Sequence, residues 1–178
     1  MRTINFVIIT IVAVMGFNFT ACSQKSETAS AFSSSIDTCY KSFIPDSIVS
    51  IIAETKTVKM NIDSSMSDPA TNNMMYNCSK EVNSVVKYLL FDDENYRTDT
   101  LVKGHFTPWV QVTFEGKKKK SVYLELDFGL WKWRLLDSTK KVICIRDMGT
   151  NRKQFLRLVR TIYPSNKKLN EYYHFINK

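Results

Sequence analysis

The stretch WVQVTFEGKKKKSVYLELDF, residues 109–128, decides the fold. Its first six residues alternate apolar and polar side chains, Glu115-Gly116-Lys117 then forms a turn, and the alternation resumes at Ser121. Val122, Leu124, Leu126 and Phe128 fall on one face, and Tyr123, Glu125 and Asp127 on the other. A period of two is that of a strand with one buried side. Residues 131–136 (WKWRLL) and 142–146 (VICIR) add two further strands across a polar turn at 137–141. Four strands joined by short turns read as an antiparallel meander, apolar on one face and polar on the other.

On either side of this stretch the period changes to 3.6. Asp46 stands as N-cap ahead of Ile48, Ile51 and Ile52, and Asp68-Pro69 opens a further helix with Pro at its first position. Between them residues 57–62 (TVKMNI) alternate as a short strand. Ser79 caps a helix whose apolar stripe is Val82, Val85, Val86, Leu89 and Leu90, with Lys80, Asn83 and Lys87 opposite. After the sheet, Thr150 or Asn151 caps a helix with Phe155, Leu158, Val159 and Ile162 on one side, and Pro164 stops it. Residues 167–178, with Tyr172, Tyr173 and Phe175, are expected to dock as a last turn. The expected class is α+β: an antiparallel sheet of about four strands with helices before and after it, one domain over residues 37–178.

The first 36 residues stand apart. Arg2 precedes a twelve-residue apolar run, FVIITIVAVMGF, of a length that suits a signal peptide and is too short to span a bilayer. Phe19-Thr20-Ala21-Cys22 follows. Small residues before a cysteine at this place resemble the lipobox of bacterial lipoproteins. The resemblance implies cleavage after residue 21 and lipidation of Cys22, so that residues 1–21 are a signal peptide and Cys22 anchors the chain to a bilayer. The Ser-rich residues 22–36 read as a flexible tether. A lipid-anchored protein of the bacterial cell envelope is the expected address, with the membrane and its face left open. The residues Phe106, Pro108, Leu126, Phe128, Leu156, Leu158 and Pro164, in an order of helix, strands and helix, resemble small lipoproteins of Bacteroidota. That likeness is architectural and implies no catalytic residue.

Of the 178 residues 44% are hydrophobic and 12% aromatic, enough for a packed core, and 5 Gly with 4 Pro exclude a collagen-like or linker-dominated chain. The net charge is +8, and it is unevenly placed. Residues 22–100 hold 7 basic and 11 acidic side chains, whereas residues 101–178 hold 17 and 6. Lys117, Lys118, Lys119 and Lys120 at the turn, with Arg152, Lys153, Arg157 and Arg160 on the last helix, are the candidate contacts for an anionic envelope glycan or lipid; a solvated turn and helix face account for them as well. For an exported protein no nucleic acid partner is expected.

Catalytic patterns do not emerge. His105 and His174 lie in no nucleophile or zinc motif, and Asp92, Asp93, Glu94 and Asp99 lack calcium-loop spacing, with Arg97 in the sixth place. No catalytic residue, metal or cofactor is assigned. Export leaves Cys39, Cys78 and Cys144; Cys39 and Cys78, both in polar surroundings, are a candidate disulfide, the alternative being three free thiols. The sequence thus reads as a membrane-tethered, non-enzymatic module binding a protein or an anionic envelope component. The alternative is a carbohydrate-binding or carbohydrate-processing accessory lipoprotein using Trp109, Trp131, Trp133, Glu125 and Asp127.

Overall fold

The computed structural model describes residues 39–63, 66, 75–96, 103–117 and 120–177. All fall in the second of the chain's two units, Asp37–Lys178. The architecture is α+β, with strands β1 (Val58–Ile62), β2 (Met75–Asn77), β3 (Val110–Glu115), β4 (Ser121–Asp127), β5 (Lys132–Leu136) and β6 (Val142–Asp147). They form one antiparallel sheet in the order β2-β1-β3-β4-β5-β6. The helices are α1 (Asp46–Glu54), α2 (Lys80–Phe91), α3 (Arg152–Ile162) and α4 (Lys167–Ile176).

Register follows from the alternation. Val110, Val112 and Phe114 of β3 lie opposite Leu126, Leu124 and Val122 of β4, and opposite Ile62, Met60 and Val58 of β1. Leu126 and Leu124 meet Trp133 and Leu135 of β5. All eleven side chains are buried. A one-residue slip in any pair would turn this row to solvent, so burial itself holds the register.

The sheet has six strands where about four are expected. The additional ones are β1, whose alternation is legible, and β2, which is not, because three residues are too few to display a period. β2 and β3 flank β1 and run in the same direction, and α2 lies in the crossover between them.

The helices differ from expectation in detail. Pro45 takes the N-cap position of α1 and makes no side-chain cap; Asp46 is the first helical residue, where its charge still favours the helix dipole. Ser79 does cap α2, its hydroxyl accepting from the Val82 amide at 3.3 Å. The buried face of α2 is rotated, however: Asn83, Val86, Leu89 and Leu90 are inside and Val85 is exposed. The cause is polar. Helix α1 ends with carbonyls that need donors. The Asn83 amide donates to the carbonyls of Thr55 and Lys56 at 3.3 and 3.4 Å. Lys87 Nζ donates to those of Ala53 and Thr55 at 2.9 and 2.7 Å, and burial lowers its pKa.

Asn151 sits at the N-cap of α3 without a side-chain cap. Its buried residues are Phe155, Leu156 and Val159, with Leu158 and Ile162 only half-buried. Residues 167–176 form a full helix rather than a last turn. Asn166 starts it by accepting from the Leu169 amide at 2.9 Å, and the Asn166 amide donates to the Met66 carbonyl at 3.0 Å. No described helix is long and apolar enough to cross a membrane. The helix expected from Asp68-Pro69 lies outside the described residues.

Replacing Asn83 with Ala removes one of the two donors to the buried Thr55 carbonyl and the donor to the Lys56 carbonyl, a loss of about 1 kcal/mol. The midpoint of urea unfolding should fall accordingly, with the slope unchanged.

Candidate functional site

The cations singled out from the sequence occupy two separate places. Lys117 and Lys120 lie in the β3–β4 hairpin; Lys118 and Lys119 are outside the described residues. The turn closes with the Gly116 amide donating to the Lys120 carbonyl at 3.1 Å. A Cβ on Gly116 would lie 2.2 Å from that same oxygen, so only glycine fits. The hairpin borders a groove of about 520 Å³ against α1, lined in part by Ile51, Glu54, Lys56 and Glu115. Lys117 pairs with Glu54 at 3.2 Å, both largely exposed, and Glu115 pairs with Lys59 at 2.5 Å. Two carboxylates thus stand among the described lysines of this groove.

The cations of α3 lie elsewhere. Arg152 stands 5.6 Å from the ring centroid of Trp131, which follows β4 at the end opposite the hairpin. Seven residues of strand separate those ends by about 20 Å. The basic half of the chain therefore presents two sites rather than one patch.

At the far end of α3 the geometry is more ordered. Arg160 Nε donates to Asn170 Oδ1 at 2.9 Å, and its guanidinium lies 3.7 Å above the Tyr173 ring. Both partners belong to α4. Arg157, exposed, has no side-chain bond to a described residue. The two arginines line a cleft of about 350 Å³ together with Thr161, Pro164 and Asn170. A guanidinium fixed through one nitrogen and one face keeps its other donors for a ligand, and it loses little further entropy on binding. Lys153 is exposed on the same helix. Asn170 and Tyr173 escape a reading by period because residues 167–176 are polar and aromatic. The signal that could have found them is Asn166, a capping residue just after the Pro164 stop.

The remaining candidates are absorbed by structure. Glu125 is 7% exposed and accepts from Arg134 Nε at 2.5 Å and Gln111 Nε2 at 2.9 Å. Asp127, 2% exposed, accepts from the amides of Thr107 and Leu130 at 2.9 and 3.0 Å. These carboxylates hold strands and loops together and do not face each other across a substrate cleft. Trp131 and Trp133 share no surface: Trp133 is wholly buried against Tyr96, whereas Trp131 precedes β5 in the turn. His105 and His174 are both exposed, and the Asp92 carboxylate accepts from the Glu94 amide at 3.0 Å, ordering a turn. Among the described residues no group of three or more His, Cys, Asp or Glu is placed to hold a metal ion.

The Cys39–Cys78 bridge is not formed; Cys39, Cys78 and Cys144 are free thiols. Tyr40 packs 4.9 Å from Phe91, the last residue of α2, whereas Cys78 lies two residues before its first. A twelve-residue helix of about 18 Å thus separates the two cysteines, far beyond disulfide reach. Cys22 lies outside the described residues.

Comparison of the chain with protein-family models, with curated proteins and with solved structures finds no match in any of the three.

Burial raises the thiols of Cys78 and Cys144 from 9.0 to about 11, whereas Cys39 is exposed. In the native chain at neutral pH, iodoacetamide should therefore label Cys39 well before the other two, as read by peptide mass. Unfolded thiols ionise first, so stability contributed by these two neutral thiols is complete below the unfolded value and should fall as pH rises from 9.0 to about 11.

Proposed function

We propose that the chain is a lipid-anchored, non-enzymatic module of the bacterial cell envelope that holds an anionic envelope component at the α3–α4 cleft. The observation that carries this reading is the pre-set guanidinium of Arg160 beside that of Arg157, which is exposed and has no side-chain bond to a described residue. Paired arginines suit phosphate and carboxylate groups, which they bind through two parallel N–H bonds. The tether is supported by the apolar run and Phe19-Thr20-Ala21-Cys22, which resemble a lipoprotein signal. Acylation at Cys22 would keep the domain at a membrane surface without crossing it. A carbohydrate-processing role for Glu125 and Asp127 has no comparable support, since both carboxylates already hold their neighbours.

The two halves of the proposal are separable by experiment. With Cys22→Ser, cell fractionation should move the protein out of the membrane pellet; identical partitioning of mutant and wild type would refute the anchor. For the cleft, a chain starting after Cys22 should sediment with anionic vesicles and not with neutral ones, more weakly as salt rises. A basic residue near an anionic surface is worth about 1 kcal/mol, so Arg157→Gln with Arg160→Gln should weaken that binding roughly tenfold or more. Equal binding of wild type and double variant would show that the cleft is not the site.

A further inference from the structure

The turn between β4 and β5 runs Phe128-Gly129-Leu130-Trp131, and Trp131 has φ +54°. A hairpin loop often needs a left-handed residue as it enters the second strand, and glycine or asparagine fills that place without strain. A bulky side chain there is a conformational outlier, and such outliers cluster at functional sites. Here the unfavourable backbone holds an indole at the surface. Trp131 is half-exposed, as are Trp109 and Tyr172, and Gly129 beside them is open to solvent.

These rings form one cluster at the end of the sheet. Tyr172 lies 4.8 Å from Trp109 and 5.8 Å from Trp131, with the buried Phe128 beneath, 5.9 and 6.0 Å from the two indoles. The Tyr172 hydroxyl donates to the Phe128 carbonyl at 2.7 Å, which pins α4 to the turn. The indole N–H groups of Trp109 and Trp131 donate to no described residue. Exposed Arg152 stands over Trp131 at 5.6 Å; burial and the nearby Asp127 carboxylate raise the Tyr172 hydroxyl above its ordinary pKa, with Arg152 opposing them.

We infer that Trp131, Trp109, Tyr172 and Arg152 form a binding site for an acidic saccharide, a pyranose carrying a carboxylate. The flat indole face matches the C–H face of a sugar ring, the two indole donors match its oxygens, and the guanidinium matches its acid group. The exposed Arg152 guanidinium beside the rings favours an acidic sugar over a neutral one. A simple inorganic anion would need the arginine and none of the rings. The inference uses neither arginine of the α3–α4 cleft and stands or falls apart from that reading.

The test is calorimetric titration of the full chain in detergent with trigalacturonate, with cellotriose as the neutral counterpart. Trigalacturonate should bind and alter the tryptophan fluorescence, with cellotriose weaker by about tenfold for want of the charge contact. Trp131→Gly, which accepts the same φ, should lower trigalacturonate affinity by about tenfold or more while circular dichroism shows the fold retained. Arg152→Gln, on an exposed helix face, should reduce trigalacturonate to the level of cellotriose, read in a chain that also carries Arg157→Gln and Arg160→Gln so that the α3–α4 cleft contributes nothing. No heat with trigalacturonate, unchanged affinity in Trp131→Gly, or undiminished acid preference in Arg152→Gln would each overturn the site.

Discussion

Everything in this domain leans on one constraint, the single apolar face of the sheet. Val58, Phe114 and Val122 form one row across three strands, and Ile62, Val110, Leu126 and Trp133 another across four, all buried. Each such side chain contributes roughly 1.5–3 kcal/mol when removed from water. The face works only if it is covered, and this explains why polar atoms are recruited to hold the cover. Asn83 and Lys87 of α2 grip the end of α1, and Tyr163, just past α3, donates its hydroxyl to the Met60 carbonyl at 2.5 Å. Burial places the Tyr163 hydroxyl well above its ordinary pKa, in keeping with that hydrogen bond.

The opposite face is partly covered by residues 106–107, and its charges satisfy one another along the strands. Glu125 joins Gln111 of β3 to Arg134 of β5, the Arg134 guanidinium lies 4.4 Å above Phe106, and Lys140 sits over the Tyr123 ring. Lys140 takes φ +67° in the β5–β6 turn. These ties explain why the acidic pair on β4, suggestive in sequence as a catalytic arrangement, has a structural use.

The meander was legible because period-two alternation reports one-sided burial directly, as do Ser79 as a cap and Pro164 as a stop. Where burial is decided by a hydrogen bond, period misleads. Asn83 is inside and Val85 outside because α1 needs donors, a fact held in residues 53–56 and invisible from the α2 stretch alone. β2 escaped because its partner, not its own three residues, makes it a strand. The charge asymmetry was legible as arithmetic but not as geometry: chain neighbours such as Lys117 and Lys120 point to α1, while the arginines of α3 are sorted by α4.

That last helix is where the two proposed sites meet. Arg152 and Arg160 are eight residues apart on α3, about 12 Å of helix. Tyr172 and Tyr173, adjacent on α4, belong one to each site: Tyr172 to the indole cluster and Tyr173 beneath Arg160. Asn170 fixes Arg160, and the Tyr172 hydroxyl fixes the helix to the β4–β5 turn. The docking of α4 therefore sets both geometries at once, through few contacts and a single fully buried apolar side chain, Leu169. A helix held by so small an apolar anchor depends on its polar cap. Asn166, wholly buried, ties its first turn to Met66 and so to the segment that follows β1. The binding surface is thus coupled to the rest of the fold through Asn166, the buried Leu169 and the Tyr172 hydroxyl on the Phe128 carbonyl.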